Sequence, residues 1–226
     1  MDTTACHKVM IILKNNLQFK NLFEKAIKFM AHIKVEEDIP GRRSLVMFRP
    51  ETGKPLYDLV QVLLRGPSSL TEAERELIAT YVSYKNDCMF CTSSHAAAAR
   101  CLYGEEKMLV DEVLNDIQQS GVSNKIKALL NIAGKVQVQG KVVSPGDIEA
   151  ARKEGADDKA IHDTVLIAAA FCMYNRYVDG LAVFTPTDAA TYEAMGERMA
   201  KGYVLPFIQE LKIKNSESRG ITYTHH

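Results

Sequence analysis

Signals for helix starts recur along residues 70–201, and they constrain the fold more than any other feature of the sequence. Thr71 and Glu74 have the spacing of a capping box, in which each side chain bonds the backbone N–H of the other residue. Asn86 and Ser144 begin later segments with residue types that cap helices. Between these signals apolar residues recur at helical spacing, and no alternating strand pattern stands out. The sequence therefore predicts an all-α fold.

The predicted helices cover most of the chain. From residue 56 onwards they are Leu56–Leu64, Thr71–Lys85, Cys88–Tyr103, Met108–Gln119, Ser123–Val138, Ile148–Lys153, residues 157–183 and Ala189–Lys201. Amphipathic spacing predicts one or two further helices within residues 1–35. The prolines and glycines of residues 36–55 predict a loop or arm.

Three regions follow from this pattern. We expect residues 1–50 to form a helical arm and loop that takes part in an oligomer. Residues 51–212 are predicted to be one helical domain, and residues 213–226 a polar tail.

Composition narrows the classes of protein that fit. Lys+Arg and Asp+Glu both number 28, a balance that argues against nucleic acid as a partner and favours association of copies into a homo-oligomer. Five cysteines in 226 residues do not resemble the disulfide framework of a secreted protein. The longest apolar run, residues 165–174, is about half of what a membrane span needs, and no signal peptide is recognisable. We therefore expect a soluble, cytoplasmic protein with no membrane partner.

Cys88, Cys91 and His95 form the pattern that points to chemistry. A helical residue turns about 100°, so His95 lies about 40° and Cys88 about 60° from Cys91, all on one face. Two thiols three residues apart at a helix start are close enough to form a disulfide. The helix N-terminus favours a thiolate there. This pattern predicts thiol-redox chemistry, with His95 as proton acceptor or cationic neighbour.

Glu76 lies on the preceding predicted helix, at the edge of an apolar sector. A carboxyl group at such an edge can have a raised pKa and relay protons. On the long helix near the C-terminus, the spacing of Arg176 and Asp179 predicts an intrahelical ion pair.

Two other interpretations of the cysteines stay open from the residues alone. Cys88, Cys91 and His95 could supply three ligands of a zinc site, although a structural zinc site needs four. Both cysteines could instead be buried and inert.

The same residues resemble a known family. Glu76 followed by the Cys88, Cys91 and His95 spacing is similar to the AhpD-like alkylhydroperoxidase and carboxymuconolactone decarboxylase superfamily. Its peroxidase-related branch is also matched by further segments, namely Leu70–Ala79, Asn86–Cys91, Asn175–Gly180, Ala194–Arg198 and Gly202-Tyr203. The resemblance covers roughly residues 50–205.

The resemblance implies an all-helical fold with helix pairs packed around the CxxC helix, homo-oligomers, and a cofactor-free, metal-free thiol peroxidase. By position, Cys91 attacks the hydroperoxide, Cys88 resolves, and Glu76 and His95 relay protons. A dithiol, small or protein-borne, restores the pair. Alkylhydroperoxidase D has a histidine immediately before the second cysteine, where this chain has Phe90, which implies a simpler relay.

Two competing functions remain. A cofactor-free enzyme like the lactone decarboxylases of the superfamily would need no cysteine pair, so the presence of both cysteines counts against it. A non-catalytic redox-sensing oligomer would form the disulfide without turning over.

Overall fold

A computed structural model describes residues 31–36 and 39–203 of the chain, and helices account for its regular structure there. The α-helices are α1 (Arg42–Phe48), α2 (Pro50–Arg65), α3 (Glu72–Lys85), α4 (Met89–Tyr103), α5 (Met108–Asn115), α6 (Asn124–Val138), α7 (Pro145–Lys153), α8 (Asp158–Gly180) and α9 (Ala189–Ala200). Short 3₁₀ turns at Gly104–Glu106 and Gly140–Val142 follow α4 and α6. No strand occurs among these residues. The all-α prediction is confirmed.

The predicted caps Thr71 and Ser144 begin helices as expected, whereas Asn86 ends α3 and the cap of α4 is Cys88. Thr71 accepts a hydrogen bond from the Glu74 N–H, and the Glu74 carboxylate accepts one from the Thr71 N–H, which completes the capping box of α3. Ser144 and Asp147 form the same motif at α7. Gly104 ends α4 with φ of 60°, a conformation that glycine adopts without steric cost.

The hydrophobic core lies where α3 packs against α4, α6 and α8, and α9 covers the outer side of α4. Leu77, Ile78 and Val82 of α3 are fully buried in it. Gly196 of α9 allows close approach to α4, because a Cβ there would lie 2.6 Å from the carbonyl carbon of Ala97. The alanine-rich face of α4 therefore positions α9 over the start of the CxxC helix.

The prediction of a loop over residues 36–55 is wrong for most of that stretch, which forms α1 and the first part of α2. Gly41 is the cap residue of α1, and Pro50 occupies the first turn of α2, where a missing N–H costs no helical bond. The glycine and proline signals therefore mark helix starts. Leu45 and Val46 of α1 are buried.

Several predicted ends shift by a few residues. The helix from Met108 ends at Asn115, four residues before Gln119, and the long helix ends at Gly180. Cys88, predicted as the first helical residue, is the cap of α4.

Of residues 1–35, for which one or two helices are predicted, residues 1–30 lie outside the described residues and residues 31–35 form no helix. The polar tail 213–226 also lies outside the described residues. The region boundaries at residues 50 and 212 stay predictions. Among residues 31–36 and 39–203, no helix is both long enough and apolar enough to cross a bilayer.

Candidate active site

The two cysteines lie at the start of α4, behind a tight turn. Asp87 adopts the left-handed conformation with φ of 57°, and the Cys88 N–H then donates to the Ser83 carbonyl at 3.1 Å. Cys88 caps α4 without using its side chain, and Cys91 lies in the first turn. Both thiols are buried, Cys88 fully and Cys91 with 5 % exposure. The turn thus presents both sulfurs at the N-terminus of a helix, where negative charge is favoured.

The two thiols have unlike environments. The Cys88 thiol donates a hydrogen bond to Cys91, and this bond is the main reason why the pKa of Cys91 is lowered. The Asn175 amide and the charge of Arg42 lower it further, against the opposing effect of burial. The same hydrogen bond and burial raise the pKa of Cys88, and the nearby Asp179 carboxyl group raises it further. Cys91 is therefore the more acidic thiol of the pair.

Asn175 ties the cysteine turn to α8. Its Oδ1 accepts a hydrogen bond from Asn86 Nδ2 at 2.7 Å, and its Nδ2 donates to Ser83 Oγ at 3.0 Å. Because Asn86 and Ser83 bracket the end of α3, this fully buried side chain fixes the turn that delivers Cys88.

Glu76 lies at the centre of a buried polar cluster. Its Oε2 is 2.7 Å from His95 Nδ1, and its Oε1 accepts hydrogen bonds at 2.6 Å from both Arg65 Nη2 and the Tyr203 hydroxyl. The Tyr203 hydroxyl is also 3.3 Å from His95 Nδ1. The side chain of Glu76 is fully buried, so these partners replace its hydration.

The partners of Glu76 decide its charge. Burial alone would raise the pKa of Glu76, but the charge and hydrogen bond of His95, the charge of Arg65 and the hydrogen bond from Tyr203 leave it below its ordinary value. The predicted raised pKa is therefore wrong in direction. The ionised carboxylate accepts the Nδ1–H of His95, so Nε2 is the ring nitrogen that is left to exchange a proton with a ligand.

One cavity of about 610 Å³ reaches this cluster from the surface. Cys91, His95 and Tyr203 line the cavity, whereas Cys88 and Glu76 lie behind its wall. Phe171 packs edge-on against the His95 ring at 4.6 Å between centroids. The four residues predicted for the site thus meet at one place, but only Cys91 and His95 are open to a ligand.

Phe90 takes a structural position beside the cavity. Its ring lies so close to Gly41 that a Cβ on Gly41 would be 1.9 Å from the ring, and Gly41 has φ of 60°. Phe90 therefore packs α1 against the CxxC turn, at the position where alkylhydroperoxidase D has a histidine.

Sequence reasoning missed three side chains of the site. Arg65 and Tyr203 bind Glu76, and Arg42 lies between the rings of Tyr57 and Tyr174, at 4.5 and 4.6 Å from their centroids. No spacing signal links these residues to the CxxC motif. The conflict of a buried Glu76 with its apolar neighbours was the one available hint that a cation must lie nearby.

The predicted ion pair of Arg176 and Asp179 is also wrong. Arg176 Nη1 donates to the Cys172 carbonyl at 2.8 Å, while burial raises the pKa of Asp179, whose carboxyl group interacts with Cys88. Among the described residues, no group of three or more His, Cys, Asp or Glu side chains is arranged to hold a metal ion.

Comparisons with known proteins agree with this geometry. Residues 50–135 match the model of the carboxymuconolactone decarboxylase family. No curated protein matches the chain. A solved structure from Ralstonia eutropha JMP134, described as an alkylhydroperoxidase AhpD core and an uncharacterized peroxidase-related protein, is similar with a TM-score of 0.63 and 25 % identity, over 70 % of this chain and 81 % of that one.

A second solved structure, an uncharacterized peroxidase-related protein from Silicibacter sp. TM1040, is similar with a TM-score of 0.63 and 26 % identity. It covers 70 % of this chain and 81 % of its own. The helical fold, the family match over residues 50–135 and these neighbours support the resemblance of the chain to the AhpD-like carboxymuconolactone decarboxylase superfamily.

Proposed function

We propose that the protein is a thiol-dependent peroxidase that reduces organic hydroperoxides through a Cys88–Cys91 dithiol/disulfide cycle. One observation carries the proposal: Cys91, the cysteine with the lowered pKa, opens on the cavity beside His95, while Cys88 lies behind it within hydrogen-bond reach. A stabilised thiolate that faces a ligand cavity is a nucleophile, and a buried neighbouring thiol is suited to resolve it. The superfamily match agrees with this assignment.

In the first step His95 Nε2 takes the proton of Cys91. The thiolate attacks the terminal oxygen of the hydroperoxide, the O–O bond breaks, and the departing alkoxide takes the proton from His95. Cys91 becomes a sulfenic acid and the product is an alcohol. Glu76 remains ionised and stabilises the imidazolium that forms between the two proton transfers.

In the second step the Cys88 sulfur attacks the sulfenic sulfur of Cys91. Asp179 would accept the proton that Cys88 loses and pass it to the departing hydroxide, which leaves as water. The product is a Cys88–Cys91 disulfide. A dithiol donor, small or protein-borne, then reduces the disulfide and is itself oxidised to a disulfide. We propose further that the protein works as a homo-oligomer in the cytoplasm.

The cycle is tested with cumene hydroperoxide and dithiothreitol. We expect the wild-type protein to consume many equivalents of peroxide, and intact mass spectrometry of the oxidised protein to show the loss of two hydrogens, mapped to Cys88 and Cys91. Cys91→Ser is expected to consume no peroxide above the uncatalysed rate. Cys88→Ser is expected to react once and to leave a sulfenic acid on Cys91 that dimedone traps.

Cys101→Ser is the matched control, because Cys101 lies on the same helix but is exposed and outside the cavity. It should keep wild-type turnover. A Cys91→Ser variant that still turns over peroxide contradicts the cycle. A wild-type protein that forms the disulfide once, and does not turn over with dithiothreitol, points to redox sensing.

The family match and the His95–Glu76 pair also favour a second candidate, proton transfer on a carbon acid as in lactone decarboxylation. His95 Nε2 could act there as the general base without either thiol. A lactone decarboxylase activity that survives in the Cys88→Ser, Cys91→Ser double variant would support this candidate.

A further inference from the structure

The cavity lining carries more positive charge than the peroxidase cycle uses. Its described lining includes four cationic side chains (Arg42, Arg43, Arg198 and Lys201) and no Asp or Glu. The whole chain has equal numbers of acidic and basic residues, 28 of each, so the lining departs sharply from the average surface. A cavity lined by charges of one sign concentrates ligands of the opposite sign.

The four cations fall into an inner and an outer set. Arg42 is the inner one: it is 9 % exposed, stacks between two tyrosine rings, and its charge lowers the pKa of Cys91. Among the described residues, no carboxylate pairs with it and no acceptor takes a hydrogen bond from it. Its charge therefore serves the Cys91 thiolate, whereas Arg198 and Lys201 of the outer set have no hydrogen-bond or ion-pair partner for their side chains among the described residues.

The outer set comes from two helices. Arg198 and Lys201 lie three residues apart at the end of α9 and share one face. Burial lowers the pKa of Arg198, and repulsion from the charge of Arg43 on α1 lowers it further. Cations are favoured at the C-terminus of a helix, which accounts for Arg198 and Lys201 at the end of α9. It does not account for Arg43, which α1 contributes to the same wall of the cavity.

The remaining lining is largely apolar. Phe90, Phe171, Val178, Met195 and Met199 form much of the wall. A ligand that fits this wall has an apolar body with one anionic end, and about 610 Å³ lies within the usual range of about 300–1,000 Å³ for small-molecule sites. We propose that the substrate is an organic hydroperoxide that carries a carboxylate, bound by Arg198 and Lys201 while the hydroperoxide reaches Cys91. That the substrate is a hydroperoxide rests on the proposed function; that it carries a carboxylate does not.

Binding measurements test the preference for a carboxylate without any turnover. Isothermal titration compares 4-isopropylbenzoate with the neutral 4-isopropylbenzyl alcohol, which has the same apolar body. We expect the wild-type protein to bind the carboxylate about tenfold more tightly, since a hydrogen bond to a charged partner contributes this much. In Arg198→Gln, Lys201→Gln this preference should disappear. Added salt should weaken binding of the carboxylate by the wild-type protein and leave binding of the alcohol unchanged.

Kinetic measurements test the hydroperoxide and the carboxylate together in one substrate. The ratio of kcat/KM for para-carboxycumene hydroperoxide to that for cumene hydroperoxide is expected to be about tenfold in the wild type and about one in the double variant. Lys141→Gln, which removes an exposed cation outside the cavity, should keep the wild-type ratio.

Equal affinity of the wild-type protein for the two isopropyl ligands, with no effect of salt, would overturn the inference and leave peroxidase activity on cumene hydroperoxide untouched. Preferential binding of the carboxylate, together with no turnover of either hydroperoxide, would uphold the anionic ligand and overturn the proposed function alone.

Discussion

Replacing Tyr203 by phenylalanine removes one hydroxyl from the buried cluster and keeps the ring. The hydroxyl donates to Glu76 Oε1 at 2.6 Å, and the Glu76 side chain that accepts this bond is fully buried. A hydrogen bond to a charged group contributes about 1.5–3 kcal/mol to stability, whereas one between neutral groups contributes about 0.5–1.5 kcal/mol. At pH 7 the acceptor is a carboxylate. We therefore expect the free energy of unfolding to fall by about 1.5–3 kcal/mol.

The pH dependence of this loss follows from the lowered pKa of Glu76. A carboxyl group with a lowered folded-state pKa stabilises the fold above its unfolded value, about 4.5, and this contribution is lost as the pH falls through the folded-state pKa. Without the hydroxyl the pKa of Glu76 is lowered less, so the variant loses this stabilisation at higher pH than the wild type. Once Glu76 is protonated in both proteins, the deficit should shrink to about 0.5–1.5 kcal/mol, the contribution of a neutral bond.

Urea denaturation followed by circular dichroism measures the deficit in the free energy of unfolding and its change with pH. The series runs from pH 7 down to the lowest pH at which both proteins remain folded. Tyr192→Phe is the matched control, because the buried Tyr192 hydroxyl donates to the neutral Pro186 carbonyl at 2.8 Å. Burial raises the pKa of Tyr192 to about 12, so its bond does not change over this range. A Tyr203→Phe deficit that is below about 0.5 kcal/mol at pH 7, or that does not change with pH, would refute the charged bond.

Three further predictions concern the thiolate and the helix packing. Asn175→Ala removes the amide that helps to lower the pKa of Cys91, so the midpoint of its reaction with iodoacetamide should move to higher pH. Arg42→Gln removes the nearby positive charge and should move the same midpoint in the same direction. Gly196→Ala places a Cβ 2.6 Å from the Ala97 backbone and should lower the free energy of unfolding by about 1–3 kcal/mol, measured with urea.

Much of the fold could be predicted from the sequence because its signals are local. The capping box at Thr71 and the glycine at residue 104 act within one helical turn, and both work as expected. The prediction of a loop around Pro50 is wrong because a proline that starts a helix and a proline that breaks one look alike in sequence. Only the burial of Leu45, a tertiary contact, distinguishes the two.

The site could likewise be predicted where its signals are local and not where its contacts come from distant helices. Cys88, Cys91 and His95 share one helix face by spacing alone, and Glu76 lies on the adjacent helix, so their meeting was predictable; their catalytic roles stay predictions. The charge of Glu76 was not, because its cation, Arg65, comes from a third helix. A buried carboxyl group shifts up or down in pKa according to partners that the sequence does not bring together.

The cluster around Glu76 draws on distant parts of the chain. Its partners lie 11, 19 and 127 positions away from it. Any local opening that lifts Tyr203 exposes the carboxylate to water and loosens His95, while α3 and α4 remain folded. Sub-global unfolding of this end of the chain would then abolish the proposed proton relay well before helix content falls. Hydrogen exchange at the end of α9 should therefore track the thermal loss of function more closely than circular dichroism does.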